Sequence, residues 1–475
     1  MTQLSRWLLR DDTVRLPSER TTHTYVIGQP GTGKSRALES WIMQDISAGH
    51  GVGVIDPHGD LFRNLLVRLS FKPEAWERIV IIDPCNKHWV TTFNPLDAVS
   101  TYSPERLSLF LTDIIAKIWK LDLASAPRTT WLLSNTFLAL ADLGLTLLHL
   151  PRFLLDRDYR ENLLPRLTNP SARTFFEYEY PKNAAAVHQW TSPVLNKMGN
   201  LIFDPDVSLL LAGKPRIRFR QIMDRQLILL VNLPKGTIGE GVSALMGAFI
   251  VAHIQKAALG RENSHRRPPF YLYLDEFQNY TTDNIRDILS ESRKYCLSMI
   301  LVNQYLEQLT PEIRSALLNT AGSIACFRTG YQDGYELAKE IFSSRHSVGS
   351  DNLLEPPIFA ARWPHQFRSE QRPAEWDQLA ESLSGLRFRE FWHKQRGAYR
   401  PTKQRTYDMP LPQITQEVMH NVWSLVATSA RLYSRSKEAV QKEVAAYNTG
   451  VHCVHAGIGE AQRANIDEEI PFWGV

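Results

Sequence analysis

Cysteine is scarce in this 475-residue chain: four residues, Cys85, Cys296, Cys326 and Cys453, lie far apart. No CxxC pair occurs and no histidine sits at zinc spacing, so neither a disulfide framework nor a structural zinc site is expected, and the thiols read as isolated and reduced, as in a cytosolic protein. Charge of one sign is also scarce, since 54 basic residues against 50 acidic ones leave a formal charge of only +4. That excess does not identify a nucleic-acid binder, and any surface for DNA must be local. No Gly/Ser-rich, Gln-rich or acidic tract interrupts the chain, which argues for little disorder away from the ends. A solenoid repeat is absent, as is any nuclease constellation.

Long apolar runs are nearly missing too. The opening MTQLSRWLLRDD has too short an apolar stretch for a signal peptide and no cleavage site. The run Trp131 to Leu150 has the length of a bilayer span, but Asp142 and Gly144 interrupt it and PRF follows, so two buried helices are expected in its place. A cytoplasmic protein with no stable membrane span is the resulting expectation.

What the chain does contain is a series of short β-branched apolar runs that end in turns or acids: Tyr25–Ile27, Val52–Ile55, Ile79–Ile82, Leu227–Val231, Phe270–Leu274, Ser298–Val302 and Ser323–Phe327. Such runs read as strands buried on both faces, and the helical patterns between several of them point to an α/β fold with a mostly parallel sheet. Between about Ser103 and Leu211 no strand stands out, while Leu, Ala and Arg recur at helical spacing. The organisation expected is therefore a first part of the core in 1–102, an all-α insertion domain in 103–215, a second part of the core in 216–372, and a small C-terminal helical module or arm in 373–475.

The chemistry starts at GQPGTGKS, residues Gly28, Gln29, Pro30, Gly31, Thr32, Gly33, Lys34 and Ser35, which follow a short strand and open a helix. That is the setting of a phosphate-binding loop: the glycines let backbone N–H groups face the phosphates, Lys34 reaches the β- and γ-phosphates, and the Ser35 hydroxyl is a Mg²⁺ ligand. ATP and Mg²⁺ are the cofactors implied. The run FYLYLDEFQ ends on Asp275 and Glu276, placing Asp275 in the magnesium shell and Glu276 beside the attacking water as general base. Gln304, after the next strand, either senses the γ-phosphate and orients that water or is an ordinary surface amide. Arg293 in ESRKYC is a candidate arginine supplied to a neighbouring subunit's nucleotide, the plainer alternative being a solvated side chain; Arg328 in CFRTG is a second candidate. DPHGD, residues 56–60, reads as a turn with Asp60 capping the next helix, a metal site being the alternative.

Taken in order, GQPGTGKS, GVGVIDPHGDL, FNPLD, LPKGTIGE, YLDEFQNY, SESRKY and NQYLEQL resemble the HerA/FtsK superfamily, and most closely its conjugative coupling ATPases of the TraG/TraD kind. The resemblance covers about Arg20 to Lys339. It implies a RecA-like P-loop NTPase that forms a hexameric ring, binds ATP between subunits and moves single- or double-stranded DNA through a central pore. In it Lys34 and Ser35 match the first nucleotide motif, Asp275 and Glu276 the second, Gln304 the third, and Arg293 the arginine acting in trans. The function implied is a DNA-translocating coupling ATPase of plasmid or mobile-element transfer or processing, with a relaxase or secretion channel as partner. The alternative is a HerA-like ring that regulates a separate nuclease or defence effector. Unlike the membrane-bound coupling proteins, this sequence shows no pair of N-terminal transmembrane helices, which puts docking to a secretion channel in question.

Overall fold

In a computed structural model of the chain, the residues described are 22–97, 103–119, 126–280, 289, 291–342, 373–396, 398, 400–407 and 409–449. The opening dodecapeptide, Cys453 and the expected boundaries near 102 and 372 fall at or outside the edges of these segments.

The strands form where the apolar runs predict them: β1 (Thr24–Ile27), β2 (Gly51–Asp56), β3 (Ile79–Ile82), β4 (Ile228–Asn232), β5 (Phe270–Leu274), β6 (Leu297–Asn303) and β7 (Ser323–Phe327). All seven are parallel. Every residue of these strands is buried, which is why their sequences run continuously apolar rather than alternating. Successive residues face opposite layers: Tyr25 and Ile27 join the core on one side of the sheet and Val26 the core on the other.

One layer contains α1 (Lys34–Ser47) and α2 (Asp60–Leu69). A buried ion pair between Glu39 of α1 and Arg68 of α2 ties these helices together, and Arg68 also donates to the carbonyl of Met409 at 2.7 Å. The opposite layer is served by α3 (Pro104–Ile118), α4 (Pro127–Asp142) and α5 (Ala184–Ile202), and by the long apolar α6 (Glu240–Leu259). Among the described residues no strand falls between Val90 and Ile228. The Trp131–Leu150 run breaks at Gly144, whose φ of 67° suits glycine, so α4 ends and a short helix, Leu150–Leu155, follows. One described helix, α6, is long and apolar enough to cross a membrane, and most of it is buried inside the fold.

The C-terminal stretch is more integrated than a helical module or an arm reaching to a neighbour. After α7 (Tyr331–Ile341) and α8 (Pro373–Ser384), the chain forms β8 (Glu390–Gln395) and β9 (Thr402–Arg405). This antiparallel hairpin pairs with β7 and completes a nine-stranded sheet in the order β9-β8-β7-β1-β6-β5-β2-β4-β3. The hairpin carries little strand signal in the sequence because an edge hairpin with a half-exposed face needs few apolar side chains. The chain then returns across the first half of the core: α9 (Gln416–Tyr433) packs on α2 and β3, and the Tyr433 hydroxyl donates to the carbonyl of Glu77 at 2.7 Å. At the start of α10 (Lys437–Thr449), Lys437 pairs with Asp206 at 2.7 Å.

Candidate nucleotide site

Parallel strands all end at one edge, and the motif residues converge there because β1, β5, β6 and β2 are near neighbours in the sheet. The loop from Gly28 to Ser35 leaves β1 and enters α1 through Gly33, whose φ of 108° suits glycine. Close packing also requires glycine at position 28, since a Cβ there would lie 2.5 Å from Cβ of Phe327. The loop is anchored by the N–H of Gln29, which donates to the Arg328 carbonyl at 2.8 Å, and by the Thr32 hydroxyl, which donates to the Gln29 carbonyl at 2.8 Å. Lys34 is buried, with its ammonium donating to the carbonyls of Gly28 and Gln29. Burial pulls this ammonium down to about 8, against the opposing charges of Asp275 and Glu276. Ser35 is exposed in the first turn of α1.

Asp275 and Glu276 follow β5. Burial pushes Asp275 up to about 6, and the neighbouring charges of Asp56 and Glu276 act in the same direction. Glu276 adopts φ 47°, an uncommon left-handed conformation for a non-glycine residue, and both carboxylate oxygens are engaged. Oε1 accepts from Gln304 Nε2 at 2.9 Å and lies 2.9 Å from His58 Nε2; Oε2 accepts from Lys235 Nζ at 2.8 Å and Asn279 Nδ2 at 3.2 Å. The hydrogen bond from His58, followed by that from Lys235, holds Glu276 down at about 2, and the same bond raises His58 above its ordinary value. Gln304 is positioned in turn by Gln308, whose Oε1 accepts from the Gln304 N–H at 2.9 Å and the Tyr305 N–H at 3.1 Å, next to Asn303, which accepts from the Tyr25 hydroxyl at 2.9 Å and donates to the Tyr305 carbonyl at 2.8 Å.

His58 and Lys235 are the residues that sequence reasoning missed. Both lie just past the end of a strand adjoining or near β5, His58 after β2 and Lys235 after β4; Lys235 falls in a stretch quoted above only as a family signature, and His58 in the DPHGD segment read above as a turn or a metal site. That position, in the crevice outside strand ends, is the signal that marks them. The DPHGD turn differs from expectation as well. Gly59, at φ 87°, occupies the N-cap of α2 and Asp60 is its first helical residue. The capping carboxylate is Asp56, which accepts from the N–H groups of His58 at 2.8 Å and Phe62 at 2.9 Å.

The two candidate arginines separate. Arg293 precedes β6 and is exposed at the opposite edge of the sheet, roughly 20 Å from Gln304 at the rise of a seven-residue strand. Within one chain it does not join the loop. Arg328 follows β7 and is exposed beside this chain's own loop.

The residues present suit a magnesium ion. Among the described residues no cluster of three or more His, Cys, Asp or Glu could cage a metal. Magnesium bound by one hydroxyl, phosphate oxygens and water needs no such cage, and the half-buried Asp275 offers a carboxylate for its outer shell.

Comparison with solved structures agrees on the architecture. The bacterial conjugative coupling protein TrwBdeltaN70, unbound, superposes with a TM-score of 0.58 and 15% identity, over 87% of this chain and 92% of that one. This chain has the coupling-protein fold. TrwB in complex with ADP and Mg²⁺ aligns equally well, with a TM-score of 0.58 and 14% identity over 86% of this chain and 92% of that one. The VirB4 protein of Thermoanaerobacter pseudethanolicus gives 0.51 and 14% over 83% and 92%. No family model and no curated protein matches the sequence itself. The coupling-protein fold is thus recognised through the sheet, its helical layers and the placement of the loop.

Proposed function

We propose that the chain is an ATP hydrolase that acts as a cytoplasmic, ring-forming DNA motor in plasmid or mobile-element transfer or processing. The observation that carries the hydrolase reading is the convergence of Lys34, Asp275, Glu276 and Gln304 at one edge of the sheet, with Glu276 held by four donors.

In this reading the loop N–H groups and Lys34 hold the triphosphate, while Ser35 and Asp275 would hold Mg²⁺. Bound there, Mg²⁺ would supply charge neutralisation on the β- and γ-oxygens. Gln304 orients the attacking water and Glu276 polarises it. A carboxylate held at about 2 is a weak base, so its contribution is electrostatic orientation of the water more than early proton removal.

TrwB is described as a plasmid coupling protein and has been captured with ADP and Mg²⁺ and with non-hydrolysable GTP and ATP analogues. Those descriptions support nucleotide binding and a coupling role here, with ring assembly, DNA and a relaxase or channel partner as the further proposals. The test is steady-state ATP hydrolysis by wild type and Glu276→Gln, with and without single- and double-stranded DNA at fixed salt. Stimulation by DNA that disappears in the variant supports the motor; hydrolysis indifferent to both DNA forms shifts the reading to a ring that regulates a separate nuclease or effector. Lys34→Ala should lose nucleotide binding, whereas Glu276→Gln should bind ATP and stall.

A further inference from the structure

The edge that carries the phosphate site continues past the loop to the C-terminal hairpin. β8 runs antiparallel to β7, with Phe391 opposite Phe327, so the residues just ahead of β8 lie at the edge where the parallel strands end. Along that edge the order is Asp275 and Glu276 after β5, Gln304 after β6, the loop after β1, Arg328 after β7, then Phe388 and Arg389. A nucleoside triphosphate with its γ-phosphate toward Glu276 therefore directs its nucleoside end to the side where Phe388 and Arg389 stand.

Arg389 is built into the loop. Its N–H donates to the Thr32 carbonyl at 2.9 Å, and its own carbonyl accepts from the Thr406 N–H at 2.8 Å and the Thr406 hydroxyl at 3.0 Å. A Cβ on Gly33 would lie 3.2 Å from Arg389 Cα and 3.1 Å from its Cγ, so the loop and the Arg389 backbone are in near contact. Arg389 adopts φ 70°, a conformation costly for a side chain with a Cβ, and its peptide groups are fixed on both sides. Its guanidinium carbon lies 4.9 Å from the ring centroid of Phe388, and that ring is 55% exposed. An exposed aromatic ring braced by a cation and tethered to the phosphate loop is a stacking platform.

We propose that Phe388, braced by Arg389, forms the nucleoside subsite, taking the nucleobase by stacking. This rests on the nucleotide reading above. Every base has a π face, so the subsite binds adenine and guanine nucleotides with similar affinity.

The experiment compares the full chain with Phe388→Ala and Phe388→Trp for binding of ADP and of Mg-tripolyphosphate, a probe with phosphates but no nucleoside. Expected for Phe388→Ala is ADP affinity lowered by about tenfold or more, as for loss of a stacked base, with tripolyphosphate affinity unchanged and ADP affinity retained in Phe388→Trp. Unchanged ADP affinity in Phe388→Ala, or equal loss for both probes, overturns the subsite. Wild type that binds tripolyphosphate as tightly as ADP also overturns it while leaving the phosphate site intact. A wild type that binds neither probe defeats the nucleotide reading itself, and the subsite with it.

Discussion

His58 Nε2 lies 2.9 Å from Oε1 of Glu276, although the two residues come from loops more than 200 positions apart. The contact links the turn after β2 to the acid after β5, and it fixes a side chain whose backbone already stands in an uncommon conformation. Replacing His58 with alanine should leave ATP affinity near wild type and lower the hydrolytic rate by roughly 10- to 100-fold, the scale of a misplaced reacting group. Single-turnover hydrolysis alongside equilibrium ATP binding checks this. A rate equal to wild type would show that His58 does not position Glu276.

Arg293 offers a test of assembly. Its exposure at the far edge of the sheet keeps it from its own chain's loop and leaves it available to a neighbour. Arg293→Ala is expected to assemble and bind ATP but to lose about 10³-fold or more in turnover, as when a transition-state arginine is removed. Mixing Arg293→Ala chains with Glu276→Gln chains, each inactive alone, should restore part of the activity, because the site on an Arg293→Ala chain is completed by the arginine of a Glu276→Gln neighbour; no recovery in such mixtures rules out a trans role.

Glycines 28 and 31 should behave differently on substitution. An alanine Cβ at Gly28 meets Phe327 Cβ at 2.5 Å and the Arg328 carbonyl at 3.2 Å, whereas at Gly31 nothing lies within 4 Å. Gly28→Ala should cost about 1–3 kcal/mol of stability through overpacking and weaken ADP binding. For Gly31→Ala the left-handed φ of 73° is the main burden, about 1–2 kcal/mol. Thermal midpoints and ADP titrations of the two variants decide it: loop geometry equally tolerant of both would leave ADP affinity unchanged in each.

His23, just ahead of β1, should make the protein acid-sensitive well above the range of ordinary carboxylates. Its Nδ1 accepts from the Met299 N–H at 3.0 Å and its Nε2 faces the Leu289 carbonyl at 3.0 Å, an arrangement that needs the neutral ring with the proton on Nε2. Burial holds it down at about 4 against an ordinary 6.5, opposed by the bond to Leu289 and assisted by the charge of Arg293. Because the folded value is depressed, its stabilisation is present above about 6.5 and is lost as pH falls toward 4. Relative to His23→Gln, wild type should lose about 2 kcal/mol of its advantage between pH 7.5 and 5. Urea midpoints at both values measure this, and a gap independent of pH would refute it.

Much of this molecule was determined by sequence within short windows. Eight residues, GQPGTGKS, specify a phosphate loop because its chemistry is backbone geometry plus one lysine and one hydroxyl, all contiguous. Strands buried on both faces are legible because continuous apolar runs are their direct consequence, as in Ile79–Ile82 and Phe270–Leu274. Strand order, by contrast, is decided by pairing across the chain. Only when β2 and β4 settle beside one another near β5 do His58 and Lys235 reach Glu276 and hold it at about 2. The hairpin of β8 and β9 was equally hidden, since an edge strand with charged side chains carries little apolar signal and is recognised by the partner it extends. Phe388 and Arg389 owe their place beside the loop to that pairing, a long-range event that composition and periodicity do not encode locally.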